Sequence, residues 1–132
     1  MTVLADSSIW IHYLRGGDTG PAAGFTEALK ADRVATCGPV VAEVMRGAPS
    51  DRRADLDAAL RGLRWAPLEF AHWAEIGMVA RRLAERGQTA GFPDVAIAVA
   101  AAHGGLRVWT TDHDFERIAT ALPGLEVTFA VT

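Results

Sequence analysis

The sequence predicts an α/β fold with a mostly parallel five-stranded sheet and helices on both of its faces. Short apolar segments alternate with longer amphipathic ones along the whole chain, which is typical of strand–helix–strand units and a parallel sheet. The segment 95–103 is apolar all round, so we expect it to be a buried helix. At 132 residues, half of them hydrophobic, the chain is predicted to form a single domain over residues 1–132.

The first half of the chain contains two predicted strands and three predicted helices. The strands are 2–5 and 33–37, and the helices are 9–14, 21–31 and 40–46. Gly16 and Gly17 end the first of these helices, and Pro39 opens the third, because proline is tolerated in the first turn.

The second half contains three predicted strands and four predicted helices. The strands are 64–68, 106–110 and 126–130, and the helices are 51–63, 71–85, 95–103 and 115–122. Pro67 places the first of these strands near an edge of the sheet. The apolar face of the helix 71–85 is predicted to hold Trp73, Ile76, Val79, Ala80 and Leu83.

Composition restricts the function classes. The net charge of −3 argues against a nucleic-acid partner, yet twelve of the thirteen basic residues are arginine, whose planar guanidinium suits phosphates. No apolar run is long enough to span a membrane, and the N-terminus lacks the pattern of a signal peptide. The single cysteine, Cys37, cannot form an internal disulfide. We therefore expect a cytoplasmic protein without a membrane partner.

Acidic residues stand where strands end and helices begin. Asp6 and the pair Asp112 and Asp114 follow predicted strands, and Glu43 and Asp94 lie in the first turns of predicted helices. In a parallel sheet these places share the carboxyl edge of the strands, where ligands bind. Carboxylates gathered there repel one another unless a cation is present. Hard divalent ions such as Mg²⁺ or Mn²⁺ prefer such oxygen ligands.

Each acid also has an ordinary structural role open to it. A carboxylate directly before a helix is a favoured N-cap, which fits Asp6 and either Asp112 or Asp114. Glu43 has Arg46 three residues ahead, the spacing of a surface ion pair. Asp94 can complement the helix dipole, although an apolar helix is an unfavourable place for an unpaired charge. If the acids converge on one edge of the sheet, they form a metal site; if they stay apart, each has only its local structural role.

Other kinds of site find little support. The four histidines are scattered and Cys37 stands alone, so zinc-ligand spacing is absent from the sequence. A glycine-rich phosphate loop is also absent. Ser7 and Ser8 have no convincing base partner for nucleophilic chemistry.

Four motifs of this chain resemble the acidic motifs of PIN-domain ribonucleases, and most of all those of the VapC toxins of type II toxin–antitoxin pairs. The motifs are Val-Leu-Ala-Asp-Ser-Ser-Ile-Trp at 3–10, Glu43 after Gly-Pro, Pro-Asp-Val-Ala-Ile-Ala at 93–98, and Thr-Thr-Asp-His-Asp-Phe at 110–115. They span nearly the whole chain in the family's order. The resemblance implies a three-layer PIN-like fold and RNA cleavage dependent on Mg²⁺ or Mn²⁺.

The resemblance also implies roles for individual residues. The catalytic acids would be Asp6, Glu43, Asp94 and Asp112. Asp6, Asp94 and Asp112 would be the metal ligands, with Glu43 holding the waters of that ion or a second ion. The supporting residues would be Asp114, Thr110 and Ser7.

The expected partners are an RNA substrate, a second copy of the chain and an antitoxin. Trp10, Trp65 and Trp73 stand near helix or strand ends, and tryptophan is enriched at interface centres, which favours a homodimer. The resemblance implies a VapB-like antitoxin whose segment covers the acidic site. An arginine from that segment could satisfy the carboxylates there.

Three alternatives have a related architecture. A signalling receiver domain has an acidic Mg²⁺ pocket but needs a lysine after a late strand, and Lys30 is early. A haloacid-dehalogenase-type phosphatase carries its D-x-D motif after the first strand, not after a late one. A non-catalytic PIN domain would have lost acids, and none of the four is lost here.

Overall fold

The computed structural model describes residues 1–130 and contains a five-stranded sheet in the order β3-β2-β1-β4-β5. Every neighbouring pair of strands is parallel, so the predicted parallel sheet is confirmed. The strands are β1 Val3–Ala5, β2 Val34–Thr36, β3 Arg64–Trp65, β4 Arg107–Thr110 and β5 Glu126–Phe129. The last two residues of the predicted domain lie outside the described residues.

Within residues 1–130, seven α-helices connect the strands. They are α1 Ser7–Gly16, α2 Phe25–Lys30, α3 Gly38–Gly47, α4 Arg53–Arg61, α5 Phe70–Glu85, α6 Phe92–Gly104 and α7 Asp114–Ala121. The strand order runs one way from β1 to β3 and the other way through β4 and β5. Parallel crossovers are right-handed, so this reversal places the helices between β1 and β3 on one face of the sheet and those before and after β4 on the other. The fold therefore has three layers. Within residues 1–130 no helix has both the length and the apolar character needed to cross a membrane.

Two predicted helices are interrupted. The predicted helix 21–31 is split into a 3₁₀ turn, Gly20–Ala22, and helix α2, because Gly24 has a φ of 91° in the left-handed region. The predicted helix 51–63 likewise begins with a 3₁₀ turn, Ser50–Arg52, before α4. The strand predicted at 64–68 is shorter, Arg64–Trp65, but it does lie at an edge of the sheet.

The core lies on and around α6. Its residues from Val95 to Ala101 are all buried, which confirms the helix predicted to be apolar all round.

Two predictions about tryptophan positions are wrong, namely Trp10 at an interface and Trp73 on the buried face of α5. Trp10 is 2% exposed, because its ring packs edge-on against Phe25 with ring centroids 4.8 Å apart. Trp73 is 51% exposed and so does not belong to the buried face of α5.

Candidate active site

Asp6 lies between β1 and α1 at the carboxyl edge of the sheet. Its backbone N–H donates to the carbonyl of Trp109 at the end of the neighbouring strand β4, with N and O 2.9 Å apart. Its side chain caps α1 by accepting from the backbone N–H of Ser7 at 2.7 Å. The helix-cap interpretation of Asp6 is therefore correct, and it does not exclude a second role.

The Asp6 carboxylate is almost fully buried, and hydroxyl groups surround it. Its Oδ2 accepts from Ser8 Oγ at 3.0 Å and from Thr110 Oγ1 at 2.7 Å. Its Oδ1 accepts from Ser7 Oγ at 3.4 Å in addition to the backbone N–H. Because both oxygens are satisfied, the charge of Asp6 is held in a fixed place at the bottom of the site.

Three further acids come close together at the same edge. Asp94 in the first turn of α6, Asp112 in the β4–α7 loop and Asp114 at the start of α7 each offer one carboxylate oxygen, all within 4.8 Å of one another. Two of these residues, Asp94 and Asp112, are predicted metal ligands. Asp114, which we expected only to support the site, belongs to the close group, and Asp6 lies outside it.

The β4–α7 loop holds its two acids by hydrogen bonds within the loop. Asp112 Oδ1 accepts from the backbone N–H of Asp114 at 2.9 Å, and the backbone N–H of Asp112 donates to Thr110 Oγ1 at 2.9 Å. Asp114 forms an ion pair with Arg117, one turn further along α7. The residue at the N-cap position of α7 is His113, whose side chain makes no capping bond. The Asp112 carboxylate therefore fixes the loop that carries Asp114.

Burial, together with the crowding of negative charge, raises the pKa of Asp94 to about 7. The largest cause is burial of the carboxylate, and the next is the charge of Asp6, followed by those of Asp112, Glu43 and Asp114. Burial and like charges both disfavour the ionised form. A cation placed among these acids would reverse that effect.

Glu43 in α3 joins the site through Ser7. Its Oε1 accepts from Ser7 Oγ at 3.2 Å, so one hydroxyl lies between Glu43 and Asp6. Within residues 1–130 Glu43 forms no ion pair with Arg46, and the surface-pair interpretation is wrong. The structure thus brings the four predicted catalytic acids and the supporting residues to one edge of the sheet.

Two contributors were missed at the level of the sequence. Ser8 was considered only as a nucleophile, but its hydroxyl donates to Asp6 and accepts from the backbone N–H of Thr111 at 3.2 Å. Arg117 holds Asp114, and their spacing of three residues on a helix is the available signal. The signal for Ser8 is weaker, since a serine near a helix N-terminus usually bonds to groups of its own neighbourhood.

The family model for the PIN domain matches residues 3–121. The chain belongs to the PIN-domain family. Its relatives include the VapC ribonuclease Mb1587 of Mycobacterium bovis and the ribonuclease VapC11 of Mycobacterium tuberculosis. Each is 31% identical over 124 residues, which cover 89% of this chain and 91% of the relative. This PIN domain is therefore a member of the VapC ribonuclease family.

Solved structures agree with the fold of this PIN domain. VapBC2 from Rickettsia felis bound to a promoter DNA fragment has a TM-score of 0.76 at 18% identity, covering 98% of this chain and 99% of that one. DNA-bound VapBC from Salmonella typhimurium also reaches 0.76, at 21% identity and 98% of both chains. VapBC-5 from Mycobacterium tuberculosis, a member of a family of toxin–antitoxin systems, has a TM-score of 0.59 at 27% identity, covering 99% of this chain and 98% of that one. The predicted three-layer PIN-like fold is confirmed.

Proposed function

We propose that this PIN domain is an endoribonuclease that cleaves RNA phosphodiester bonds with a bound Mg²⁺ or Mn²⁺ ion, and that it is the toxin of a type II toxin–antitoxin pair. One observation carries the metal site. The carboxylate oxygens of Asp94, Asp112 and Asp114 lie within 4.8 Å of one another at the carboxyl edge of a parallel sheet.

The donor set suits a hard divalent cation. All three close groups are carboxylates, and Mg²⁺ and Mn²⁺ take oxygen ligands in preference to sulfur or imidazole. The raised pKa of Asp94 also supports a cation site, because a positive charge between the acids would remove their mutual repulsion. We propose Asp6 as a ligand as well, because among the neighbouring charges that of Asp6 raises the pKa of Asp94 most.

The residues of this chain would divide the work. Asp94, Asp112 and Asp6 would hold the ion, and Asp114 would add a fourth carboxylate beside Asp94 and Asp112. When bound, the ion supplies activation of a water and neutralises charge on the phosphate being attacked. Glu43, oriented by Ser7, can accept a proton from the attacking water. Thr110 keeps Asp6 and Asp112 in register by bonding to both.

The proposed partners are a second copy of the chain and a VapB-like antitoxin. Several large apolar side chains are exposed, which favours further contacts. They are Trp65, Phe70, Trp73, Met78 and Phe92. We propose a homodimer, which sedimentation at micromolar protein concentration tests directly. The antitoxin segment would carry apolar residues and at least one arginine, which can bind the carboxylates in place of the metal.

The test of the nuclease is cleavage of a mixture of cellular RNA by the purified chain. We expect fragments in the presence of Mg²⁺ or Mn²⁺ and none in chelator. Cleavage that continues at full rate in chelator would exclude the metal mechanism, and intact RNA under every metal condition would exclude the nuclease. The toxin function is tested by expressing the chain in bacteria and counting colonies. We expect fewer colonies on expression, and a normal number when an antitoxin encoded beside the chain is expressed with it.

A further inference from the structure

One arginine of the chain, Arg117, forms an ion pair with an acid of the site, Asp114. The two residues lie one turn apart on α7, and both side chains are partly exposed. The other ion pairs of arginine within residues 1–130 involve acids outside the site and are those of Arg61, Arg64, Arg81 and Arg107. A positive charge of the chain itself therefore lies against the group of close acids.

A second acceptor holds the Arg117 guanidinium. Its Nη2 also donates to the backbone carbonyl of Thr89, with N and O 3.5 Å apart. Thr89 belongs to the segment that leads into α6, shortly before Asp94. One guanidinium nitrogen thus joins the start of α7 to the segment before α6. Because these two parts of the chain carry the close acids, Arg117 is anchored at the site itself.

The acids of the site carry more negative charge than one divalent ion can neutralise. Besides burial, four acids raise the pKa of Asp94, namely Asp6, Asp112, Glu43 and Asp114. With Asp94 itself, five carboxyl groups face the two positive charges of one Mg²⁺ or Mn²⁺ ion. Many nucleases and phosphatases balance such a site with two ions, about 3.5–4 Å apart. Charge alone therefore favours a second cation here.

We propose that the Arg117 guanidinium takes the place of that second cation, so that the site binds one divalent ion. The proposal rests on the proposed metal-dependent ribonuclease function. The carboxylates of Asp94, Asp112 and Asp114 lie close enough together for a further ion, but Asp114 already binds Arg117. A guanidinium and a metal ion compete for the same carboxylate lone pairs, and their like charges repel each other. Asp114 thus remains a supporting acid, and Asp94 and Asp112 are left to hold the ion together with Asp6.

Two other roles are open to Arg117. An ion pair one turn apart on a helix can simply stabilise that helix, and such pairs contribute little when they are exposed. An arginine beside a nuclease site can also contact a phosphate of the RNA. Neither role changes the number of divalent ions that the protein binds when RNA is absent. The number of bound ions therefore separates the proposed role from both of these.

The experiment counts bound Mn²⁺ by electron paramagnetic resonance of the free ion, in a titration of the purified chain without RNA. Wild type should bind one ion. Arg117→Gln removes the charge, so a second ion should bind between Asp94, Asp112 and Asp114. The first ion should bind roughly tenfold more tightly, the effect of removing one charge near a divalent ion in a partly exposed site. Arg117→Lys keeps the charge and should bind one ion.

Two controls accompany these variants. Arg61→Gln removes an arginine from an exposed ion pair with Asp57 at the end of α4, just before β3 begins and hence near the amino edge of the sheet. This variant should bind one ion with the affinity of wild type. Arg117→Gln combined with Asp114→Asn should also bind one ion, because the second ion needs the Asp114 carboxylate. Thermal unfolding in chelator shows that each variant is folded.

The outcomes distinguish the role of Arg117 from the nuclease function. Two ions in wild type overturn the role of Arg117 and leave the nuclease standing. One ion in both wild type and Arg117→Gln also overturns it, and weaker RNA binding by that variant would then indicate a phosphate contact. No ion in wild type contradicts the metal-dependent nuclease. In that case ions bound by Arg117→Gln would still support Arg117 as the cation of the site, and their absence would overturn that role as well.

Discussion

Replacing Asp94 by asparagine should stabilise the metal-free protein at neutral pH. The Asp94 carboxyl has a pKa raised from 3.8 to about 7 by burial and by the surrounding acids. Between those two pH values the folded chain keeps a proton that the unfolded chain has lost. Stability therefore falls as pH rises through this window, because the folded state binds more protons than the unfolded state. Asparagine does not titrate, so the variant should not show this fall.

The size of the effect follows from the width of the window. A pKa difference of one unit corresponds to about 1.36 kcal/mol, so the three units between 3.8 and 7 set an upper limit of about 4 kcal/mol. Asp94 is partly exposed, and solvent screening reduces the repulsion. We therefore expect wild type to lose about 2 kcal/mol of unfolding free energy between about pH 4 and pH 8, relative to Asp94→Asn.

Urea unfolding in chelator at a series of pH values measures this difference. Asp18→Asn is the matched control, because Asp18 is exposed and its pKa is lowered by hydrogen bonds from the backbone N–H groups of Gly24 and Thr26. That carboxylate stabilises the fold above its unfolded pKa, so its replacement should destabilise the protein at neutral pH. Parallel pH curves for wild type and Asp94→Asn would refute the reasoning.

Three further predictions concern the same site. Thr110→Val should lower the unfolding free energy by about 1–3 kcal/mol in chemical denaturation, because a fully buried hydroxyl bonded to Asp6 and Asp112 is lost. Thr110→Ser should keep most of the stability. A Thr110→Val protein as stable as wild type would contradict the role of this hydroxyl in holding the two acids. Added Mg²⁺ should raise the Tm of wild type more than that of Asp112→Asn, since binding to the folded state stabilises it, whereas equal shifts would place the ion elsewhere. A peptide from the antitoxin should bind more weakly as Mg²⁺ rises in a fluorescence titration, and an affinity indifferent to Mg²⁺ would show that the peptide binds away from the acids.

The parallel sheet and the acidic edge could be predicted because both depend on local sequence order. Strands that alternate with helices must be parallel, and an acid that ends such a strand must lie at its carboxyl edge. Asp6 and Asp112 follow this rule, and Asp94 reaches the same edge from the first turn of α6. The family resemblance agreed with the same positions.

What the sequence could not provide is the arrangement within that edge. The closest group contains Asp114 instead of Asp6, because Asp112 accepts from the backbone N–H of Asp114 and turns the loop so that both acids meet Asp94. Such a turn depends on a side-chain hydrogen bond that a pattern of residue types does not specify. The predicted burial of Trp73 failed for a related reason, since helical periodicity identifies a face but not its width.

The break in the helix predicted at 21–31 could have been predicted from Gly24. Gly24 takes a positive φ there, and the backbone N–H of Gly24 donates to Asp18 Oδ1 at 2.7 Å. Glycine is favoured at such a conformation because it has no Cβ. A glycine inside an amphipathic pattern is therefore better interpreted as a possible break.

The most direct test of the acidic metal site is the single-turnover rate of RNA cleavage in Mg²⁺ by wild type, by Asp94→Asn and by Asp51→Asn. Asp51 is an exposed acid in the 3₁₀ turn before α4 and does not belong to the group of close acids. Loss of several kcal/mol of charge stabilisation predicts that Asp94→Asn is slower by roughly 100-fold or more. Asp51→Asn should match wild type, and thermal unfolding in chelator should show that Asp94→Asn is folded. Cleavage by Asp94→Asn at the wild-type rate would contradict the proposed site.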